Sequence, residues 1–333
     1  MVVSRLGVGT VTFGTETIVP GFVNRIDQAH ADRLVGRAID AGINFFDTAD
    51  SYSYGLSEEV LGRALGKRRA DVVLCTKSGL RLGPAITNTG LSARQIMLTV
   101  EASLKRLGTD WVDLFEPHLP DPATPLEETA RALEALVRDG KVRYIGLSNF
   151  PVWQAARLVG IQERLGYQTV TAAQMYYSLL GRELENECVP FYREAGIGVQ
   201  VWSPLASGFL SGKYTRDNPK PEGGRRNAFP IPPIDIEKGY DIIDVLRRIA
   251  EAHDATISQV ATAWILTKDW VSTVILGAAD ERQFEENIKA EALVLSDEAV
   301  RELDALTVPH KPFPTWYVDL FQWDQRVRDS ISA

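Results

Sequence analysis

The sequence predicts an α/β protein in which eight parallel strands close into a (β/α)8 barrel, the TIM-barrel architecture. Short runs rich in β-branched and aromatic residues alternate with longer segments of helical periodicity along the 333-residue chain. Several of the short runs have continuous apolar centres, which is typical of parallel strands covered on both faces. Eight such runs favour a closed barrel over an open, doubly wound sheet. The predicted strands are residues 6–10, 43–48, 72–77, 112–118, 144–148, 170–174, 198–202 and 271–276.

Helix-capping patterns occur between these strands. A short polar residue followed three positions later by Glu or Gln, ahead of apolar residues at helical spacing, marks a helix start. The pattern occurs at residues 92–95, 124–127 and 280–283, and in the second of these Pro125 is expected at the first helical position. Because strands and helices alternate without a break in composition, we expect residues 1–333 to form a single barrel domain.

Two segments are additional to the eight strand–helix units of a minimal barrel. The connection between the last two strands is long, and its Pro-, Gly- and Arg-rich part, residues 213–235, is expected to be a lid over a binding site. The last segment, residues 308–333, contains a dense group of aromatic residues. That density is too high for a disordered terminus, so we expect the tail to pack.

Composition excludes several classes of function. The net charge is −8 and there is no long basic run, which argues against nucleic acid as a partner. No apolar stretch approaches the length of a membrane span or a signal peptide, so no membrane contact is expected. The only cysteines are Cys75 and Cys188, far apart, which favours a reducing, cytoplasmic location and argues against disulfides or a metal cluster.

Polar side chains close several predicted strands at the carboxyl end, where the active sites of such barrels lie. Taken alone, each has an ordinary structural interpretation: an aspartate can cap a turn, and a lone histidine is usually a satisfied core residue. Placement on successive strand ends is harder to explain by packing and favours a catalytic site. These residues are Asp47 with Tyr52 just beyond it, Lys77, His118, Ser148, Asn149 and Gln174.

The same residues lie in motifs that resemble those of the aldo-keto reductase family. The likeness runs from about residue 6 to residue 287, and its last motifs are most similar to the branch that holds voltage-gated potassium channel β subunits and bacterial relatives. It implies an NAD(P)H-dependent oxidoreductase that reduces aldehydes or ketones to alcohols by direct hydride transfer. The motifs are GINFFDTADSYSYGLSEEVLG (42–62), CTKSG (75–79), DLFEPHLPDP (113–122), GLSNF (146–150), AAQMYYSLL (172–180), WSPLASGFLSGKY (202–214) and GAADERQFEEN (277–287).

The resemblance implies that Asp47, Tyr52, Lys77 and His118 form a catalytic tetrad. Tyr52 would be the general acid/base, because carbonyl reduction needs a proton donor at the oxygen. An ammonium about 4 Å from the phenol favours phenolate by about 4 kcal/mol at an effective dielectric of 20. We therefore expect Lys77 to lower the pKa of Tyr52 unless desolvation is severe. Asp47 would orient Lys77, and His118 would donate a hydrogen bond to the carbonyl oxygen.

The resemblance also implies a nicotinamide cofactor across this end of the barrel. Trp202 would stack on the nicotinamide, and Ser148, Asn149 and Gln174 would bond its carboxamide. A Rossmann site is rejected because Thr12 stands where the third glycine of GxGxxG would be. The further residues expected to contact the cofactor are Gly9, Thr10, Val11, Asp47, Ser203, Pro204, Leu205, Ser207, Gly208, Lys213, Arg225, Arg226, Gly277, Ala279, Gln283, Glu286 and Asn287.

NADPH is favoured over NADH as the cofactor. Lys213, Arg225 and Arg226 are cations on the family's cofactor route and would bind the 2′-phosphate of NADP. Against this, Ala279 is neutral, and Asp280 could accept a hydrogen bond from the ribose 2′-hydroxyl of NAD. If Asp280 caps the helix that follows it, its repulsion of a phosphate becomes smaller.

Two alternatives stay open within the family. One is an NAD-dependent dehydrogenase of sugars or other alcohols, and the other is a cofactor-sensing regulatory subunit. His118 argues against the second, because the channel subunits have asparagine at this position. The expected partner is a small-molecule carbonyl or alcohol substrate, and a homo-oligomer is compatible with the sequence. The loops that set substrate choice have no recognisable pattern.

Overall fold

Eight parallel strands close into a barrel in the computed structural model, which describes residues 1–15, 26–277 and 280–321. Each strand pairs in parallel with the next, and β1 closes the barrel by pairing with β8. The predicted fold class is confirmed. The strands are β1 (Leu6–Gly9), β2 (Phe45–Asp47), β3 (Val73–Ser78), β4 (Val112–Pro117), β5 (Val142–Ser148), β6 (Ala172–Tyr176), β7 (Gly198–Trp202) and β8 (Val271–Leu276).

Helices surround the barrel, and two of them lie between β7 and β8. Three more of the described helices follow β8. The helices are α1 (Gln28–Asp40), α2 (Leu56–Leu65), α3 (Ala93–Leu107), α4 (Leu126–Arg138), α5 (Val152–Leu165), α6 (Cys188–Glu194), α7 (Ile236–Ala252), α8 (Ile257–Leu266), α9 (Glu281–Ile288), α10 (Asp297–Leu306) and α11 (Thr315–Phe321).

Two of the predicted helix caps are present. Ser92 accepts a hydrogen bond from the backbone N–H of Gln95, although the Gln95 side chain turns to Thr99 instead of completing the capping box. Asp280 accepts from the backbone N–H of Gln283 at 2.7 Å and so caps α9. Its charge is thereby directed at the first turn of α9.

The cap predicted at residue 124 was wrong by one position. Helix α4 begins at Leu126, and Pro125 is its N-cap residue without a side-chain bond. The Thr124 hydroxyl donates instead to the Asp121 carboxylate at 2.6 Å. The hydroxyl therefore bonds to an acceptor just upstream and does not cap the helix.

The barrel interior consists of layers of side chains. Phe45, Cys75, Leu114, Ala172 and Ile275 form an apolar cluster inside the barrel, separate from the large core between strands and helices. Side chains alternate along a strand, so the residue two positions further on also faces inward. On four strands this next residue is polar: Asp47, Lys77, Glu116 and Gln174. A polar layer therefore covers the apolar one at the carboxyl end.

The long β7–β8 connection contains, besides α7 and α8, a short 3₁₀ turn at Arg225–Asn227 within residues 213–235. In the described part of the tail, the rings of Phe313, Trp316 and Tyr317 contact one another and are 44–71% exposed. These rings cluster together but leave much of their surface open. Residues 16–25, 278–279 and 322–333 lie outside the described residues. Within the part of the chain that is described, no helix is long and apolar enough to cross a membrane.

Candidate active site

The four predicted catalytic residues meet at the carboxyl end of the barrel. Lys77, fully buried at the end of β3, donates hydrogen bonds to the Asp47 carboxylate and, at 2.8 Å, to the Thr48 carbonyl oxygen. Its Nζ lies 5.1 Å from the centre of the Tyr52 ring. The rings of Tyr52 and His118 meet edge to face, with their centres 5.9 Å apart. The phenol thus lies between a buried cation and an imidazole.

A tight turn after β2 holds Tyr52 in place. Ser53 has φ of 51°, a left-handed conformation that costs free energy in a non-glycine residue, and Gly55 follows with φ of 91°. A Cβ at Gly55 would lie 2.6 Å from Nε of Arg106, which donates to the fully buried Glu58 carboxylate at 2.6 Å. Helix α3 therefore braces this turn through an ion pair that sequence reasoning missed.

Burial controls the acidity of Tyr52. Although part of the side chain is exposed, the protein around its hydroxyl raises the pKa to about 12, and the Lys77 ammonium opposes this shift without cancelling it. Asp47 adds to the rise. We expected Lys77 to lower the pKa of Tyr52 unless desolvation is severe; desolvation is severe here, and the pKa of Tyr52 is raised. The physical reason is that desolvation is severe and Asp47 neutralises much of the Lys77 charge.

Lys77 and His118 each keep one protonation state over a wide pH range. Burial by itself lowers the pKa of Lys77, but the carboxylate of Asp47 and weaker neighbours outweigh it and raise the pKa. Burial, followed by the Lys77 charge, lowers the pKa of His118 to about 3. His118 is thus a neutral imidazole, and its Nδ1 has no hydrogen-bond partner among the described residues. Neutral imidazole can still donate one hydrogen bond.

The polar layer that contains Asp47 and Lys77 continues around the barrel through Glu116, Gln174 and Gln200. Gln174 Nε2 lies 2.8 Å from an Asp47 oxygen, 3.2 Å from Glu116 Oε2 and 3.2 Å from Gln200 Oε1. Gln200 Nε2 donates to Glu116 Oε1 at 2.8 Å. Sequence reasoning missed Glu116 and Gln200. The signal was present, because each lies two positions before a predicted site residue on its strand, His118 and Trp202.

Three buried groups in the barrel interior could in principle ligate a metal. One ligand atom each from Asp47, Cys75 and Glu116 lies within 4.8 Å of the others. Burial raises the pKa of the Cys75 thiol well above its usual value, which keeps it protonated and makes it a poor ligand. The Lys77 ammonium already supplies the positive charge beside Asp47.

The residues predicted to bind nicotinamide lie together on β5, β6 and β7. Asn149 Nδ2 donates to the His118 carbonyl at 3.0 Å and to Ser148 Oγ at 2.9 Å, while its Oδ1 accepts from Trp202 Nε1 at 3.0 Å. The half-buried Trp202 ring lies 5.3 Å from that of Tyr176. A planar indole beside an amide and a hydroxyl fits the chemistry of a nicotinamide carboxamide.

The turn after β7 and the segment over it are bonded together. Ser203, Ala206 and Ser207 all have positive φ, which folds the turn tightly. The Arg226 guanidinium donates to the carbonyl oxygens of Ala206 at 3.4 Å and Pro232 at 2.8 Å, and the Ser207 hydroxyl donates to the Ile231 carbonyl. Arg226 therefore joins the turn to the segment over it through backbone carbonyls, and its predicted contact with a 2′-phosphate stays a prediction. Arg225, in contrast, interacts electrostatically with Tyr52.

The predicted contacts on β1 and around α9 fall into two groups. Thr10 is fully buried and its hydroxyl bonds to the Asp47 carbonyl at 3.0 Å, while a Cβ at Gly9 would lie 2.7 Å from Ile275. Thr10 thus bonds to β2 and Gly9 packs closely against β8, and Val11 comes next in the chain, just beyond β1. Near α9, Asn287 Nδ2 lies 3.4 Å from the Gly277 carbonyl, and Gln283 and Glu286 are on the same helix. Ala279 lies outside the described residues, and Lys213 is exposed.

The model of the aldo/keto reductase family matches residues 5–308 of the chain. A putative voltage-gated potassium channel subunit beta from Schizosaccharomyces pombe is 37% identical, over 90% of this chain and 88% of its own length. An uncharacterized oxidoreductase from Bacillus subtilis is 36% identical, over 91% of both chains. An NADH-specific methylglyoxal reductase from Escherichia coli is 35% identical, over 88% of this chain and 91% of its own.

Proposed function

The chain belongs to the aldo/keto reductase family, and on that premise we propose that it reduces aldehydes or ketones to alcohols with NAD(P)H, Tyr52 being the general acid/base. One observation carries the proposal: Tyr52 lies between the buried Lys77 ammonium, 5.1 Å from its ring centre, and the neutral His118 imidazole. This is the arrangement that proton transfer to a carbonyl oxygen requires.

Each group has a role that follows from its charge. With a pKa of about 12, Tyr52 holds its proton at neutral pH and can give it to the carbonyl oxygen as negative charge develops there. His118 donates a hydrogen bond to the same oxygen and aligns it. Lys77, kept charged by Asp47, stabilises the phenolate left behind. Bound NAD(P)H supplies the hydride.

The cofactor would lie across the ends of β5 to β8. Trp202 is the proposed platform for the nicotinamide, and Ser148, Asn149 and Gln174 the proposed partners of its carboxamide, in exchange for bonds they now make to one another. We propose residues 213–235 as the lid over the pyrophosphate, tied down by Arg226.

We propose NADPH as the preferred cofactor, with Lys213 and Arg225 as the cations that would bind the 2′-phosphate. The bond from the Gln283 N–H to Asp280 directs the aspartate charge toward its own helix and supports this preference. The E. coli relative is named as NADH-specific, which favours the opposite choice. The two cysteines are free thiols, which supports a reducing compartment such as the cytoplasm.

The likeness to potassium channel β subunits favours a second candidate, a cofactor-sensing regulatory subunit. The two functions differ in turnover, since a sensor needs to bind the cofactor but has no need of a fast proton donor. His118 and the complete tetrad favour the enzyme.

The deciding experiment is a turnover screen of aldehydes, ketones and sugars with NADPH and with NADH. Tyr52→Phe removes only the phenolic hydroxyl, so we expect it to lower kcat at least about 10²-fold while cofactor affinity stays nearly unchanged. Tyr54→Phe is the matched control, because Tyr54 is 53% exposed and lies in the same turn. Near-full activity of Tyr52→Phe would contradict the mechanism.

A further inference from the structure

Glu116 is a fully buried carboxyl group that the proposed mechanism does not use. It lies on β4 beside its register partner Lys77 on β3, in the same polar layer as Lys77 and Asp47. A buried acid in the middle of a barrel is costly unless it is hydrogen-bonded or protonated. The groups that contact Glu116 therefore indicate how the barrel holds this carboxyl group.

The site is shaped to hold this side chain. A Cβ on Gly146 of β5 would lie 2.6 Å from Glu116 Oε1, so the glycine leaves the space that the carboxyl occupies. Gln200 Nε2 on β7 donates to the same oxygen, Oε1, at 2.8 Å. Glu116 is thus fixed between two strands of the barrel.

Gln174 connects Glu116 to the tetrad. Its amide nitrogen carries two hydrogens but has three acceptors within 3.2 Å, namely Asp47, Glu116 and Gln200. At most two of them can be satisfied well at once. A change in the charge of Glu116 therefore changes how strongly Gln174 bonds to Asp47, the partner of Lys77.

The groups facing Glu116 come from several strands of the barrel. Asp47 lies on β2, Cys75 and Lys77 on β3, and the two glutamines on β6 and β7. Burial raises the pKa of Glu116 to about 8; Lys77 lowers it, Asp47 raises it, and the Gln200 bond lowers it. The proton on this carboxyl therefore exchanges within the working range of an enzyme.

We propose that Glu116 is a positioning residue of the reductase site, whose buried carboxyl gains and loses a proton and so sets the charge balance around Lys77 and Asp47. The proposal rests on the function proposed above. With Glu116 neutral, one ammonium faces one carboxylate. With Glu116 ionised, the same ammonium faces two carboxylates, which disfavours the Tyr52 phenolate and makes Tyr52 a weaker acid.

Glu116→Gln tests this directly, because the amide keeps the shape and stays neutral at every pH. We expect kcat/KM for carbonyl reduction by the parent to fall about threefold or more as pH rises through about 8, and the Glu116→Gln variant to lack that step. Gln200→Met removes the bond that favours the ionised form and should move the step to higher pH. A purely structural role would give a parent-to-variant ratio that does not depend on pH.

Infrared difference spectroscopy gives a readout that does not need turnover. The carbonyl band of a protonated carboxylic acid should disappear from the parent over the same pH range and be missing from Glu116→Gln. A step that persists in Glu116→Gln, or a parent with no such band change, would overturn the proposal. If the parent shows no band change but turns over normally, the proposal for Glu116 fails and the reductase function stands. If Glu116 titrates but the protein turns over no substrate, the reductase function fails.

Discussion

The Nζ of Lys77 lies 5.1 Å from the centre of the Tyr52 ring, yet its charge does not offset the burial of the Tyr52 hydroxyl. The hydrogen bond from Lys77 to Asp47 explains this, because a cation paired with a carboxylate has a weak field at longer range. At neutral pH the phenol therefore keeps its proton, which the proposed mechanism requires of a proton donor. In that mechanism, Lys77 matters most in the step that leaves a phenolate behind.

Lys77→Met should consequently reduce turnover at least about 10²-fold, because the phenolate formed during proton transfer loses the buried cation beside it. The measurement is kcat/KM for carbonyl reduction. The single variant also leaves Asp47 as a buried charge without its cation, which destabilises the fold. Lys77→Met combined with Asp47→Asn removes that charge, so it should recover thermal stability but stay inactive. Recovered activity in the double variant would show that instability, not the lost cation, caused the defect.

His118 should make the protein sensitive to acid. Its pKa falls from 6.5 to about 3 on folding, so between these values the unfolded chain binds a proton that the folded protein does not. Stability from this residue is present above pH 6.5 and is lost as pH falls toward 3. In urea unfolding over this range, His118→Asn should lose less free energy of unfolding than the parent. His30→Asn, on the surface, serves as the control, and equal slopes for parent and His118→Asn would contradict the prediction.

Trp202→Leu should weaken cofactor binding and abolish most of the fluorescence change that reduced cofactor causes, because the indole is the proposed stacking platform. Titration of NADPH followed by tryptophan emission measures both effects. Trp153→Leu is the matched control, since Trp153 on α5 is 60% exposed and belongs to no part of the site. An unchanged affinity and emission change in Trp202→Leu would remove Trp202 from the cofactor site.

Cofactor preference should depend on Lys213 and Arg225 but not on Arg226. We expect the parent to favour NADPH, and Lys213→Ala with Arg225→Ala to reduce the ratio of kcat/KM for NADPH to that for NADH about tenfold, as two partly exposed charged contacts permit. Arg226→Ala should weaken both cofactors equally, because its guanidinium holds the carbonyls of Ala206 and Pro232. A parent that prefers NADH, or a ratio altered only by Arg226→Ala, would reject this assignment.

The strands were predictable because their apolar runs are periodic and self-contained. The ends of the strands were less predictable: β6 begins at Ala172 rather than residue 170, and β2 covers only Phe45–Asp47. An apolar run marks a strand without giving its register, which the neighbouring strands determine. The proximity of Asp47, Tyr52, Lys77 and His118 was predictable for a related reason, since motifs fix each residue at or near a strand end and barrel closure brings the ends together.

What escaped prediction depends on contacts between distant parts of the chain. The acidity of Tyr52 is a balance of burial against charge, and burial cannot be read from a motif. The bond between Glu116 and Gln200 joins β4 to β7, and Arg106 reaches Glu58 from another helix. Thr124 was assigned to the wrong partner because Asp121 competes for its hydroxyl. Inward-facing parity along the strand could have identified Glu116, two residues before His118.

Because β1 pairs with β8, the barrel can close only late in the synthesis of the chain. Leu6 pairs with Val274, so the barrel cannot close until β8 has left the ribosome. Until then β1 and the most recently made strand both expose open edges, which invite pairing with other chains. The nascent chain contains Asp47, Lys77 and His118 early, on neighbouring strands, while Trp202 and the α9 side of the cofactor site arrive late. Synthesis thus delivers the proposed acid–base residues before those of the proposed cofactor groove, and a chain truncated before β8 would contain Asp47, Lys77 and His118 without a closed barrel.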